Sequence, residues 1–130
     1  MSNEPILTIR VILEPSFKVR GSREQIVMIP FTGEAEGPLF RGRILPHGVD
    51  TQRWGPDGKG TLSARYMLEG TDADGTPCRI FIENQGNWEA GFHPHLVTDS
   101  PLLAPWETAR LSATVDGMEG GVMVRIFCGA

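Results

Sequence analysis

No stretch of the 130-residue chain approaches the roughly 18 apolar residues of a membrane-crossing helix. Blocks of like charge are also missing. The 12 basic and 16 acidic residues are interspersed and leave a formal net charge of −4. A nucleic-acid binder shows a basic stripe, and a membrane-surface protein shows a polybasic cluster. Neither is present, so no nucleic acid and no membrane are expected as partners. The first residues, Met-Ser-Asn-Glu-Pro, lack the basic region and apolar stretch of a secretory signal, so a cytoplasmic location is expected. Cysteine is scarce. Cys78 and Cys128 share no metal-binding spacing and are expected to be reduced, buried small hydrophobes.

Glycine and proline, in contrast, are plentiful, with 16 and 10 copies. Both are costly inside helices, which argues against a helical bundle. Their share stays below that of a disordered Gly/Pro-rich chain, and 40% hydrophobic content with 8% aromatic supplies a core. A single turn-rich, all-β domain over residues 1–130 is expected.

Period-two alternation predicts strands at residues 5–13, 25–31, 39–45, 61–69, 78–84, 107–116 and 122–128. In the fourth, Leu62, Ala64, Tyr66 and Leu68 share one face. In the fifth, Cys78, Ile80, Ile82 and Asn84 do. Asp74-Gly75 between them is a strong hairpin signal. Gly42 inside its strand predicts a bulge, a bend or a close approach. Residues 32–38 read as a turn, 46–60 as a long loop and 86–105 as irregular. About eight antiparallel strands in so short a chain close into a barrel or pack as a sandwich, since both manage sheet edges.

Residues 37–50, Gly-Pro-Leu-Phe-Arg-Gly-Arg-Ile-Leu-Pro-His-Gly-Val-Asp, form the first part of a recognisable pattern. It continues through Asp57-Gly58, Ala64-Arg65-Tyr66, Asp74-Gly75 and Ile82-Glu-Asn84-Gln-Gly86. This pattern resembles the family of domain of unknown function 3237, also called uncharacterised protein family 0311. Gly21-Ser-Arg23 and Pro105-Trp-Glu107-Thr are similar to its flanking elements. The resemblance implies a small, soluble antiparallel β-barrel, lipocalin-like or outer-membrane-barrel-like in outline, and no established activity. It also implies recurrent polar positions at Arg23, Asp50, Arg65, Asn84 and Glu107. His47 departs from the family's usual Gly, and residues 111–117 depart from its aromatic C-terminal segment.

The candidate site gathers Asp50, Arg65 and Asn84. Were their faces to meet in the lumen, Arg65 would clamp an anionic oxygen, Asn84 would orient a carbonyl and Asp50 would move a proton. That set suits a cofactor-free isomerase, dehydratase or cyclase acting on a small carbonyl or carboxylate compound. Arg23, Arg41, Arg43, Trp54 and Glu107 are candidate ligand-binding residues. The competing structural reading has Asp50 capping a turn, Arg65 neutralising it, and Arg41 and Arg43 solvated on the outside. Trp54, Trp88 and Trp106 either rim a barrel mouth or plug one end. His47, His93 and His95 are considered as a zinc site, but Pro94 argues against a regular strand there, and they read as loop histidines. No metal and no cofactor are expected. The expected partner is a small organic ligand. A non-catalytic carrier, or a homodimer joined through strand edges, is the alternative.

Overall fold

A computed structural model describes residues 4–129. It contains ten strands: β1 Leu7–Leu13, β2 Phe17–Arg20, β3 Gln25–Glu36, β4 Phe40–Ile44, β5 Gly48–Trp54, β6 Gly60–Asp72, β7 Pro77–Asn87, β8 Gly91–Thr98, β9 Leu111–Met118 and β10 Gly121–Cys128. A single 3₁₀ turn, Ala104–Glu107, lies between β8 and β9. All pairings are antiparallel, and they close on themselves because β1 joins both β10 and β3. The ten strands fill eight positions around the barrel. β1 and β2 follow one another along one side of β3, while β4 and β5 follow one another between β3 and β6.

The register is strongly staggered. A row leaving β3 at Val27 passes Gln52, Leu62, Gly86, Phe92, Ala113, Ile126 and Leu7. It returns beside Gly37, ten residues further along the chain. Such a shear goes with strands tilted about 35–45° from the barrel axis. It also carries β2, the first half of β3 and the end of β5 past the rim on one side.

Three expected irregular stretches are corrected. β3 runs on through residues 32–36, where Phe31 and Ala35 keep the inward parity. β5 occupies the middle of the expected loop at 46–60, leaving a short turn around Gly58. Its inward residues are polar, so it lacks the apolar alternation that marks a strand. β8 lies within 86–105, and Pro94 is tolerated there. It sits beside the sparse β8–β9 seam, where Phe92 pairs with Ala113, and a proline at such an edge costs no ladder bond.

Gly42 resolves as a close approach. It faces Gly70 across the β4–β6 ladder, and the Phe40 ring packs over it. A methyl group at Gly70 would overlap the Arg41 carbonyl oxygen and crowd the Gly42 Cα. Both neighbours are backbone, so Gly70→Ala is expected to cost about 3 kcal/mol as the ladder shifts. Chemical denaturation would show it as a lower midpoint.

The two ends of the barrel differ. Leu7, Phe40, Leu68, Cys78, Ile80, Leu103, Trp106 and Ile126 are buried in the continuous core that fills the end carrying the 3₁₀ turn. Asp72 fastens this end. Its Oδ2 accepts the Ser100 hydroxyl at 2.8 Å, and its Oδ1 accepts the amides of Asp74 and Thr76 at 2.9 and 3.0 Å. Cys78 is buried as expected, but Cys128, at the end of β10, is exposed. Outside, cross-strand charges alternate: Arg43 and Arg79 both pair with Glu69. No helix among the described residues is long and apolar enough to cross a membrane.

Candidate functional site

At the opposite end the side chains leave a cavity of about 70 Å³. Val11, Leu13, Phe31, Leu62, Ala64, Phe92, Val115, Val122 and Val124 give it an apolar wall, with Trp88 at the rim. Three polar residues interrupt that wall: Asp50, Tyr66 and Asn84.

Register explains how they meet. Asp50 on β5 is opposite Ala64 on β6, which is opposite Asn84 on β7. The two polar groups therefore share one row and flank a small side chain that leaves the space between them open. Tyr66 lies two residues from Ala64 on the same face. Its ring meets Phe31 edge-on at a centroid distance of 5.4 Å. Gly48 makes that contact feasible, because a side chain there would overlap the Phe31 ring and crowd the Tyr66 Cβ.

Asp50 Oδ1, Tyr66 Oη and Asn84 Oδ1 are inaccessible to water and have no hydrogen-bond partner among the described residues. An unpaired buried polar atom costs about 1–3 kcal/mol, so three on one cavity wall are a marked concentration. Burial raises the Asp50 carboxyl above its ordinary range, and a hydrogen bond from Gln52 partly offsets the rise. Burial likewise raises the Tyr66 hydroxyl.

A chain of hydrogen bonds along the inward face of β5 holds Asp50. The Trp54 indole N–H donates to Gln52 Oε1 at 3.2 Å, and Gln52 Nε2 donates to Asp50 Oδ2 at 2.9 Å. One carboxylate oxygen is thereby engaged and the other left bare. Trp54 thus reaches the site through Gln52.

The structure brings together two of the three principal candidates. Asp50 and Asn84 line the cavity; Arg65 does not. It lies on the outward face of β6 and pairs with Glu83 at 3.1 Å, its side chain 65% exposed. The expected clamp is corrected by strand parity. Arg41 and Arg43 are also outside, in ion pairs with Glu36 and Glu69 at 4.0 and 3.7 Å. Arg23 is on the exposed β2–β3 turn, in a shallow depression shared with Trp54. Glu107 belongs to the closed end, where it accepts the Thr98 amide at 3.1 Å. Trp88 and Trp106 divide the two expected roles, one at the mouth and one in the core.

His93 and His95 lie on β8, not in a loop, and are exposed on its outer face. His47 bonds Glu14 at 3.1 Å. No cluster of metal-ligating side chains occurs among the described residues. Tyr66 and Gln52 are the functional candidates that sequence reasoning passed over. The signal for Tyr66 was its place on the Leu62–Ala64–Leu68 face.

Fold and site together define a small closed antiparallel β-barrel with a polar-tipped cavity at one end. The chain belongs to the family described as protein of unknown function (DUF3237), whose sequence profile matches residues 1–97. A curated relative, a UPF0311 protein of Clostridium acetobutylicum, is 42% identical over 64 residues, covering 49% of this chain and 37% of that protein. The match therefore spans little more than a third of the relative's length. Among solved structures, a protein of unknown function from Clostridium acetobutylicum is similar at 24% identity and a TM-score of 0.81, over 96% of this chain and 94% of that one. A protein described as an enzyme from Penicillium herquei is similar at 16% identity and a TM-score of 0.69, over 95% and 92%. At those identities the likeness shows the fold alone.

Proposed function

We propose that the cavity takes the reacting end of a small, uncharged organic molecule bearing a carbonyl or hydroxyl oxygen. Asp50 then transfers a proton, as in a cofactor-free isomerase, dehydratase or cyclase. The observation that supports this reading most strongly is the set of partnerless atoms on Asp50, Tyr66 and Asn84 around an otherwise apolar cavity. A ligand oxygen seated between them would supply the missing partners. The raised Asp50 carboxyl suits it to proton transfer nearer neutral pH. No Lys, Arg or His is among the described residues of the lining, which disfavours a carboxylate ligand. At about 70 Å³ the cavity is smaller than a drug-sized ligand pocket, typically ~300–1,000 Å³, so the rest of the molecule would lie at the rim near Trp88. The Penicillium herquei protein described as an enzyme is in keeping with catalysis on this barrel.

A carrier would use the same apolar wall without proton transfer, and one experiment separates the two. A panel of small cyclic ketones is incubated with the protein in deuterium oxide, and exchange next to the carbonyl is followed by proton NMR. Thermal shifts report binding of the same compounds. The expected result is exchange faster than buffer for the ketones that stabilise the protein. Stabilisation without exchange identifies a carrier, and neither effect rejects the cavity as the site.

A further inference from the structure

Three inward residues of β5 differ in what they can do at a hydrogen bond. The Trp54 indole N–H only donates, the Gln52 amide both donates and accepts, and an ionised Asp50 carboxylate only accepts. Alternate residues of a strand share a face, so the three stand in a row that ends at the cavity. Polarity runs one way along that row. The indole N–H donates to Gln52 Oε1 at 3.2 Å, which leaves Gln52 Nε2 to donate to Asp50 Oδ2 at 2.9 Å. The opposite sense of the amide would set N–H against N–H at one end and oxygen against oxygen at the other.

The flanking side chains do not compete for the amide. Gln52 stands between Val27 on β3 and Leu62 on β6, both apolar. Gly60, opposite Trp54, leaves room for the indole, since a methyl group there would overlap the ring. Asp50 itself stands between Ile29 and Ala64. Tyr66 is the one other titratable group among the described residues of the cavity lining, and burial keeps its hydroxyl protonated. The nearby arginines of β5 and β6, Arg53 and Arg65, are largely exposed and pair with Glu24 and Glu83. A proton on Asp50 Oδ2 would point at the Gln52 N–H. Oδ1 has no partner among the described residues, so it is the oxygen left to take one. Burial raises the Asp50 carboxyl, and the Gln52 bond works against that rise.

We propose that Gln52 and Trp54 are positioning residues for Asp50. The indole sets the sense of the Gln52 amide, the amide holds Oδ2, and the proton is carried on Oδ1 alone. Their effect on turnover rests on the proton-transfer reading of the cavity, whereas the hydrogen-bond chain is tested without a substrate.

The Asp50 carboxyl is titrated by carbon-13 NMR in protein labelled at aspartate, with Asp50→Asn assigning the signal. Gln52→Met, close in volume and without a donor, should tighten proton binding at Asp50 about tenfold, the scale of one hydrogen bond to a charged group. Trp54→Phe should act in the same direction by less, although the indole bonds Gln52 and not Asp50. The double variant should match Gln52→Met alone, because Trp54 acts only through Gln52. If Gln52→Met fails to fold, Trp54→Phe decides. A Trp54→Phe titration that overlays wild type overturns the proposal, and so does a double variant that shifts beyond Gln52→Met. Ketone exchange gives a second readout. Neither residue belongs to the described cavity lining, so in both variants the pH profile of exchange should move to higher pH with the titration while the half-saturating ketone concentration holds. A changed half-saturation with an unmoved pH profile overturns the proposal. A wild type without exchange rejects the proton-transfer reading and leaves the titrations to decide the hydrogen-bond chain.

Discussion

Replacing Asp50 by Asn is expected to stabilise the protein at neutral pH, by ~1 kcal/mol or roughly 4 °C in melting temperature. Burial of a polar residue is usually the reason a substitution harms. Here burial holds the carboxyl above its ordinary range, so the folded chain binds a proton that the unfolded chain has already released. The stability from this group is complete below the ordinary carboxylate value. It is lost as pH rises toward the raised value, and at neutral pH the ionised Asp50 is a net cost. Asn keeps the shape and removes the charge. The same variant should lose at least ~100-fold in ketone exchange, the usual scale for a general acid–base, while ketone-induced stabilisation persists. Melting curves from pH 4 to 8 check the first half: the alkaline-side decline should flatten in the variant. A variant that melts below wild type at neutral pH would remove the argument from burial.

Asp72→Ala is expected to act in the opposite direction and more strongly, with a fall of roughly 10 °C in melting temperature. Asp72 is 5% exposed and accepts hydrogen bonds from Ser100, Asp74 and Thr76, so its loss leaves a buried hydroxyl proton and two turn amides without their acceptor. The Ser100 hydroxyl, followed by the two amides, holds this carboxyl below its ordinary range. Its contribution is therefore present above the ordinary carboxylate value and is lost as pH falls through the depressed one. Wild type and variant should converge in strong acid and separate as pH rises. Parallel curves throughout would show that the carboxylate charge is irrelevant. Ser100→Ala should reproduce part of the loss, since only one of the three hydrogen bonds goes with it.

The two aspartates show how unevenly the sequence reports the structure. The β6–β7 hairpin is legible because both arms alternate and Asp74-Gly75 makes the turn. The inward place of Asn84 follows from the company of Cys78, Ile80 and Ile82. Arg65 was misplaced for a reason the same alternation contains. Its neighbours Ala64 and Tyr66 face inward, so it must face out, and Glu83 waits for it there. β5 is illegible for the reason that makes it interesting. Asp50, Gln52 and Trp54 occupy its inward positions, and a strand that lines a polar mouth does not look like one that lines a core. Pro94 hid β8, because a proline is read against a strand unless the sparse β8–β9 seam beside it is known. The closed end was the harder half. Asp72 and Ser100 are 28 residues apart, and nothing local in either sequence joins them.

The closure of the barrel through β1 has a consequence for its biosynthesis. Leu7 pairs with Ile126, so β1 leaves the ribosome well before β10, its second neighbour. Until β10 is made, β1 has β3 alone, and until β9 is made β8 has β7 alone. Residues 1–97, the stretch that the family profile matches, stop before both closing strands. Closure of the sheet therefore waits for β10, by a long-range pairing of the slow kind. A nascent chain stalled before residue 111 would expose two apolar edges for chaperones to cover.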